Sequence, residues 1–145
     1  MAVVMLTGAS GFLGVHVLQR LLRDEHRVRA LVRSPSRLRA SLAMLGIDPD
    51  DRRIDVISGD MTDRAAARAA ADGCSHVIHA AATYSYRRRD AQRMLDENVT
   101  GTVAVLDAAL DAGCSGVVHV SSVVALLSPG ATLDHQSPLG VTLGP

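Results

Sequence analysis

Short apolar runs recur along this chain, and each is followed by a stretch with the residue spacing of a helix. The five runs are Val3–Leu6, Val28–Val32, Ile54–Ile57, Val77–Ile78 and Val117–Val120. Strands that are apolar on both faces are typical of a parallel sheet with helices on both sides. Because crossovers between parallel strands are right-handed, the pattern predicts an α/β fold with a doubly wound parallel sheet in the strand order 3-2-1-4-5.

The spacing of apolar residues also predicts three helices between these strands. The first runs from Gly11 to Asp24. The second runs from Ala65 to Ala71, with Thr62 as its N-cap. The third runs from Asp90 to Ala112. The residues predicted to be buried on the first helix are Leu13, Val17, Leu18, Leu21 and Leu22, and those on the third are Leu95, Val99, Val103, Leu106 and Leu110.

The amino-acid composition changes after Ser122, where prolines and glycines become frequent and apolar residues no longer recur with the period of a helix. Such a composition is typical of loops. We therefore predict a folded dinucleotide-binding domain over residues 1–122, followed by an irregular segment over residues 123–145. A loop of that length in a compact domain favours the interpretation that its packing partners lie in a further part of the polypeptide, so that the C-terminal part of the fold is lacking here.

Composition limits the classes of partner. The chain has 145 residues, of which 48% are hydrophobic and 2% aromatic, and its 15 basic residues, all arginine, balance 15 acidic ones. With no net charge, nothing draws the whole chain to nucleic acid or to an anionic membrane. No apolar run approaches the roughly 20 residues that span a bilayer, so we expect a cytoplasmic protein.

The two cysteines occupy similar positions, since Cys74 and Cys114 each follow a glycine and precede a strand. They are forty residues apart, and no histidine or cysteine pattern typical of a metal site accompanies them. We interpret both as reduced, partly buried packing residues, and we predict no metal site.

The most informative segment is Thr7–Gly14, with the sequence TGASGFLG, which joins the first strand to the first helix. Gly8 permits a tight turn off the strand, Gly11 removes a Cβ that a pyrophosphate would meet, and Gly14 lets the helix approach the sheet. The amides at the start of the helix then face the anion. In this position the glycines predict a dinucleotide-binding loop, to which Ser10, Phe12 and Leu13 also belong.

The motifs Gly59–Asp63, His79–Ala82, Asn98–Thr102 and Val120–Ser122 follow in order along the chain. Together with TGASGFLG, which matches the signature TGxxGFxG, they make the chain similar to the extended short-chain dehydrogenase/reductases. The resemblance implies a Rossmann-type fold in which Asp60 and Met61 contact adenine. The small side chains of Ala80, Ala81 and Ala82 leave room for the cofactor, and we predict His79 to be a packed core residue.

The end of the second strand indicates which cofactor is preferred. An NAD-binding site places an acidic residue there for the ribose hydroxyls, whereas this chain has Arg33, with Arg37 four residues later. A guanidinium matches the geometry of a 2′-phosphate. We therefore predict NADP in preference to NAD, although these arginines are also compatible with an ordinary solvated surface.

The resemblance implies a catalytic set of Ser, Tyr and Lys, supported by an Asn on the long helix. Ser122 matches the Ser and Asn98 matches the Asn. The chain has no lysine, and its only tyrosines, Tyr84 and Tyr86, do not lie in a Tyr-x-x-x-Lys pattern. We expect the sequence to stop just short of the catalytic Tyr, and we expect these 145 residues alone to be inactive.

Three functions agree with these features. The first is a reductase or dehydrogenase that exchanges hydride between NAD(P) and a small carbonyl or hydroxyl compound. The second is a sugar-nucleotide epimerase or dehydratase with tightly bound NAD, and the third is a non-catalytic dinucleotide-binding module.

Two surfaces are candidates for contacts with partners. The resemblance implies a homodimer through the helix at residues 90–112. We interpret Tyr84, Tyr86 and Arg87–Arg89 as solvated surface, with contact to an acidic substrate as the alternative.

Overall fold

The computed structural model describes residues 1–122, and everything predicted for residues 123–145 lies outside them. Five strands alternate with four α-helices. The strands are β1 (Val3–Thr7), β2 (Arg27–Val32), β3 (Ile54–Ser58), β4 (His76–His79) and β5 (Gly116–His119). The helices are α1 (Phe12–Arg23), α2 (Pro35–Met44), α3 (Arg64–Ala71) and α4 (Ala91–Asp111), and a short 3-10 turn at Arg88–Asp90 precedes α4.

The five strands form one parallel sheet in the order β3-β2-β1-β4-β5, which confirms the predicted fold class and strand order. The chain crosses from β1 outward to β2 and β3, and then returns to place β4 on the other side of β1. The loops after β1 and β4 therefore diverge from neighbouring strands, and this divergence opens a crevice at the carboxyl edge of the sheet.

Helices cover both faces of the sheet, and each face has its own apolar core. On one face, α1 and α2 pack over Leu6, Val28 and Ala30. On the other, the alanines of α3 and α4 pack over Met5, Leu31 and Val77. The two-sided burial explains why β1, β2 and β4 are apolar at successive positions and not only at alternate ones.

The sequence pattern missed α2, and a local cap explains why a helix forms there. Ser34 is its N-cap and accepts a hydrogen bond from the amide of Arg37 at 3.3 Å, while Pro35 occupies the first turn. Proline is favoured at this position because the amide that it lacks has no partner within the helix. The predicted N-cap of α3 was wrong by one residue, since Asp63, and not Thr62, accepts from the amides of Ala65 and Ala66.

The prediction for the buried face of α4 was wrong. The buried residues of this helix are Gly101, Ala104, Val105, Ala108 and Ala109, whereas the five predicted ones, Leu95, Val99, Val103, Leu106 and Leu110, are 40–80% exposed. Close packing decides the orientation, because a Cβ on Gly101 would lie 2.6 Å from Cγ of Met61. Only the face of α4 that carries small residues can approach the sheet closely enough to become buried against it.

The predicted buried face of α1 is largely confirmed. On α1, Leu18 and Leu22 are buried as predicted and Val17 and Leu21 partly so, but Leu13 is 48% exposed because the first turn buries Gly14 and Val15 instead. Cys74 is buried and Cys114 is partly buried, and both are free thiols. Burial raises the pKa of each thiol. Within residues 1–122, no helix has the length and apolar character needed to cross a bilayer.

Candidate functional site: a cleft at the carboxyl edge of the sheet

A cleft of about 260 Å³ opens where the loops after β1, β2, β3 and β4 meet. Its shape follows from the topology, because the loops after β1 and β4 turn to opposite faces of the sheet. The residues that line it are Gly8, Ser10, Gly11, Leu31, Val32, Arg33, Ser34, Arg37, Gly59, Asp60, Met61, Ala80, Ala81, Ala82 and Thr83.

The loop after β1 forms the floor of the cleft and depends on its glycines. Gly8 has a φ of +74°, and a Cβ there would lie 2.6 Å from the carbonyl oxygen of Ala80. A Cβ on Gly14 would lie 2.0 Å from the carbonyl oxygen of Gly8. At Gly11 an added Cβ would meet, among residues 1–122, only the Gly8 carbonyl oxygen at 3.2 Å, so these residues leave the remaining space there open for a ligand.

The start of α1 suits an anion. Gly11 is the N-cap and supplies no side-chain hydrogen bond, and the first turn of the helix contains no acidic residue. The first amides of a helix have no partners within the helix, and its dipole places partial positive charge there. A pyrophosphate over Gly8, Ser10 and Gly11 therefore fits both the space and the electrostatics of this loop.

A buried polar network joins β1 to β4 beneath the cleft. The Thr7 hydroxyl oxygen accepts hydrogen bonds from the amides of Ala80 and Ala81, at 3.2 and 3.1 Å, and lies 2.7 Å from Nδ1 of His79. Because two amides occupy the lone pairs of that oxygen, we infer that its proton is donated to Nδ1. The Nε2–H of His79 then donates to the Thr102 hydroxyl, at 3.1 Å.

His79 is held in its neutral form by its surroundings. Burial, and secondly the stacked His119 ring with its centroid 5.2 Å away, lower the pKa of His79 to about 4. The side chain is 1% exposed, in agreement with its predicted role as a packed core residue. Thr7 was missed as a structural residue of the site, although its place at the end of β1 was a usable signal.

We expect the stability of the fold to fall between pH 6.5 and pH 4 because of His79. In this range the unfolded chain binds a proton at His79 that the folded chain excludes, so acidification favours unfolding. At pH 4.5 the loss relative to pH 7.5 is about 2–3 kcal/mol. Urea unfolding of wild type and His79→Asn at both pH values measures it. The carboxylates titrate in both proteins, so equal losses in the two would contradict this assignment.

The other end of the cleft is basic. Arg33 follows β2 directly, Ser34 caps α2, and Arg37 lies in its first turn, so two guanidinium groups and a helix start face the same space. The Arg33 side chain is 68% exposed, and its Nε lies 3.9 Å from Oδ2 of Asp60. Arg37 has no ion pair with any acidic residue in the part of the chain that the structure describes.

Asp60 is held in place at the end of β3. Its Oδ1 accepts hydrogen bonds from the amide and the hydroxyl of Thr62, at 2.9 and 2.8 Å. Burial acts to raise the pKa of this carboxyl, but the two bonds from Thr62 and the charge of Arg33 together outweigh it and lower the pKa. Asp60 is therefore an ionised hydrogen-bond acceptor. Its second oxygen, Oδ2, is the one that lies near Arg33.

The segment after β4 forms the wall opposite the glycine loop. Ala80, Ala81 and Ala82 leave space along it, and Thr83 is fixed from behind by α4. Oδ1 of Asn98 accepts from the Thr83 amide at 2.7 Å, and Nδ2 donates to the Thr83 carbonyl at 3.0 Å. Asn98 thus acts on the cleft through Thr83, as a positioning residue.

Replacing Asn98 with alanine is expected to lower the free energy of unfolding by about 1–3 kcal/mol, because the Thr83 amide and carbonyl lose their partner. Asn98→Asp keeps an acceptor for the amide but sets a carboxylate against the carbonyl, so we expect a similar loss. Hydrogen exchange at the Thr83 amide measures the local effect. As a control, Gln92→Ala removes an exposed contact to Asp96 on the same helix, and unchanged exchange in Asn98→Ala would refute the positioning role.

The structure brings ten of the thirteen predicted cofactor-binding residues into one cleft. Of the others, Phe12 is 86% exposed beside the cleft, Leu13 points to solvent, and Gly14 lies beneath the glycine loop. Ser122 is three residues beyond β5, on the same edge of the sheet. The lining residues that the sequence reasoning missed are Leu31, Val32, Ser34, Gly59 and Thr83. Gly59 follows β3 directly, and Ser34 and Thr83 lie in the segments after β2 and β4, which was the available signal, whereas Leu31 and Val32 are the last two residues of β2.

Residues 4–140 match the sequence model of the NAD dependent epimerase/dehydratase family. A putative dihydroflavonol 4-reductase from Synechocystis sp. is 34% identical over 96% of this chain. The match spans 39% of that relative, so this chain covers about two fifths of the curated relatives that it matches.

Two solved structures show the same architecture. A short-chain dehydrogenase/reductase superfamily protein from Agrobacterium tumefaciens, solved with bound NAD, is 28% identical with a TM-score of 0.75, over 94% of this chain and 38% of its own. A dTDP-glucose 4,6-dehydratase from Streptomyces venezuelae, solved with NAD bound, is 29% identical with a TM-score of 0.76, over 94% of this chain and 45% of its own.

Proposed function

This chain belongs to the NAD dependent epimerase/dehydratase family, and from that membership we propose that it is the cofactor-binding part of an NADP-dependent oxidoreductase. The observation that carries the choice of cofactor is the pair Arg33 and Arg37 at the cleft, beside the start of α2. No acidic residue follows β2 to repel a 2′-phosphate, and Arg33 lines the cleft together with Arg37. The similarity to a putative dihydroflavonol 4-reductase supports a reductase.

The proposed reaction moves hydride between the nicotinamide of the cofactor and a small carbonyl or hydroxyl substrate; the bound cofactor supplies or accepts the hydride. This chain's share is to hold the pyrophosphate on the Gly8–Gly11 loop and to orient the wall at Ala80–Thr83. Ser122 serves as a hydrogen-bond donor to the substrate oxygen. Because the 145 residues contain no lysine, the Tyr and Lys of the family's catalytic set are not both in them.

Titration with NADPH and NADH tests the proposed cofactor directly. We expect NADPH to bind at least tenfold more tightly, because its 2′-phosphate gains charge-assisted hydrogen bonds from Arg33 and Arg37. Fluorescence of the reduced nicotinamide measures both affinities. Equal affinities, or tighter binding of NADH, would contradict the NADP preference, and failure of both to bind would contradict the proposed function itself.

A second candidate is an epimerase or dehydratase that retains NAD, and the similarity to the dTDP-glucose 4,6-dehydratase favours it. The two candidates differ in how the cofactor is used, since a reductase exchanges its cofactor in every cycle, whereas an epimerase re-reduces its substrate with the same one. Mass spectrometry of the protein purified without added nucleotide distinguishes them. Stoichiometric NAD supports the second candidate, and cofactor-free protein supports the first.

We also propose that the apolar stripe of α4 is a homodimer contact. Leu95, Val99, Val103, Leu106 and Leu110 run along about 22 Å of the helix and are exposed, and burial of such a patch favours association. Val99→Asp with Val103→Asp is expected to shift the protein from dimer to monomer in analytical ultracentrifugation. Asp96→Ala is the control on a neighbouring position. Dimers of moderate affinity form at protein concentrations of roughly 100 micromolar. If the wild-type protein is still a monomer at that concentration, the proposed dimer contact is wrong.

A further inference from the structure

The loop that follows the cleft wall combines two exposed aromatic rings with three consecutive arginines. We call Tyr84–Arg89, with the sequence YSYRRR, the Tyr-Arg loop. Tyr84 is 70% exposed and Tyr86 is 92% exposed, and their rings make an edge-to-face contact with centroids 4.9 Å apart. This arrangement leaves the face of one ring open to solvent.

Exposed and partly buried side chains alternate along the first half of the loop, which is held by hydrogen bonds. Ser85 points inward, where its amide contacts Sδ of Met94 at 3.1 Å and its hydroxyl donates to Asp90 at 2.6 Å. The Arg87 amide donates back to the Ser85 hydroxyl at 3.2 Å. Ser85 is therefore held by Asp90 and by Met94 of α4, and the residues on either side of it, Tyr84 and Tyr86, carry the exposed rings.

The cations of this loop differ from most other arginines of the chain. Eight of the 15 arginines are ion-paired with acidic residues among residues 1–122, and Arg87, Arg88 and Arg89 are not. The nearest carboxylate along the chain, that of Asp90, is occupied by Ser85 and lies 3.7 Å from Arg93. Within residues 1–122, the loop therefore carries three consecutive positive charges without an ion pair.

The loop adjoins the end of the cleft that is expected to hold the nicotinamide. Because the 2′-phosphate end of a dinucleotide lies at β2, its nicotinamide end crosses β1 toward β4. Thr83 lines that end of the cleft and precedes the Tyr-Arg loop directly. Four residues span at most about 15 Å, so Arg87 lies within that distance of Thr83.

We propose that the Tyr-Arg loop binds a phosphate group of the substrate, with the tyrosine rings against the organic part that bears it. Arginines match the geometry of phosphate oxygens, and an exposed aromatic face gains contact area with little loss of conformational entropy. The inference rests on the proposed function, because it assigns a substrate class, the organic phosphates, to the same cleft. It develops the alternative of contact with an acidic substrate, and the interpretation as solvated surface is the outcome expected if the test below fails.

Phenyl phosphate, which combines a ring with a phosphate, is a suitable probe, and inorganic phosphate is its comparison. Tyr84 and Tyr86 are the only tyrosines of the chain, so their ring NMR signals report on this loop alone. The protein is first saturated with NADP⁺, which blocks the pyrophosphate site. We expect phenyl phosphate to shift the tyrosine signals saturably and to bind more tightly than inorganic phosphate.

The matched variants are Arg87→Gln/Arg88→Gln/Arg89→Gln and, as control, Arg23→Gln/Arg27→Gln/Arg52→Gln, which removes three exposed arginines without ion pairs elsewhere in residues 1–122. We expect the first variant to weaken phenyl phosphate binding at least fivefold and the control less than twofold. Raising the salt concentration weakens wild-type binding. Equal affinities in both variants, or no saturable shift in wild type, would overturn the proposal.

Two further readouts separate the alternatives. The same variants are expected to bind NADPH with unchanged affinity. If the wild-type protein does not bind NADPH, the proposed function is contradicted. If it binds NADPH but the substitution of Arg87, Arg88 and Arg89 does not weaken phenyl phosphate binding, only this inference is contradicted. A ten-nucleotide oligothymidylate tests a nucleic-acid partner. If it binds the loop more than tenfold more tightly than phenyl phosphate, the assignment to a small organic phosphate is wrong.

Discussion

Replacing Gly14 with alanine is expected to destabilise the fold strongly. The added Cβ would lie 2.0 Å from the carbonyl oxygen of Gly8, 2.6 Å from its carbonyl carbon and 2.9 Å from Cα of Ala9. All three are backbone atoms of the glycine loop, so no side chain rotation relieves the overlap. We expect a loss of more than about 3 kcal/mol, a large part of the stability of a small domain.

Urea unfolding followed by circular dichroism measures the effect of Gly14→Ala. Gly46→Ala is the control, because Gly46 has a φ of +67° but an added Cβ there would have no atom of residues 1–122 within 4 Å. It tests backbone conformation without the steric overlap, and we expect it to cost only about 1 kcal/mol. If the two variants were equally stable, close packing of α1 against the glycine loop would not be what requires Gly14.

Replacing Arg33 and Arg37 together with alanine is expected to weaken NADP binding about 30-fold to 100-fold, because each guanidinium loses a charge-assisted contact with the 2′-phosphate. NAD lacks that phosphate, so we expect its affinity to change less than threefold. Isothermal titration calorimetry with both cofactors measures the change. The ratio of the two affinities, and not either one alone, reports on recognition of the phosphate.

Arg39→Ala is the control for this double variant. Arg39 lies on the same helix, α2, but its guanidinium is paired with Asp50 at 2.8 Å and does not line the cleft. We expect its affinity for both cofactors to stay within twofold of wild type. A double variant that loses NADP and NAD affinity equally would show that the arginines support the fold of the cleft and do not read the 2′-phosphate.

The strands and their order were predictable because the central strands are buried on both faces and are therefore apolar at successive positions. The glycine loop was predictable because backbone contact at Gly8 and Gly14 excludes any side chain. The sequence reasoning missed α2 because only Leu38 and Leu42 of that helix are buried, which leaves no apolar stripe to detect. Its evidence is local instead, in the Ser34 cap and Pro35.

The face of α4 shows a limit of periodicity as evidence. The helix has a stripe of large apolar residues and a stripe of small ones, and hydropathy alone favours the larger. The structure buries the small stripe because Met61 and the alanines of α3 leave no room for larger side chains. The contacts of Asn98 with Thr83 are likewise invisible in the sequence, since they join residues from two elements through the backbone.

A crystal structure of the protein with NADP⁺ tests the central claim most directly. We expect the pyrophosphate over the Gly8–Gly11 loop, the adenine beside Asp60 and Met61, and the 2′-phosphate within hydrogen-bond distance of the Arg33 and Arg37 guanidinium groups. A dinucleotide bound elsewhere would contradict the assignment of the cleft. A dinucleotide bound in the cleft with its 2′-phosphate directed away from both arginines would contradict the NADP preference and leave the fold and cleft assignments standing.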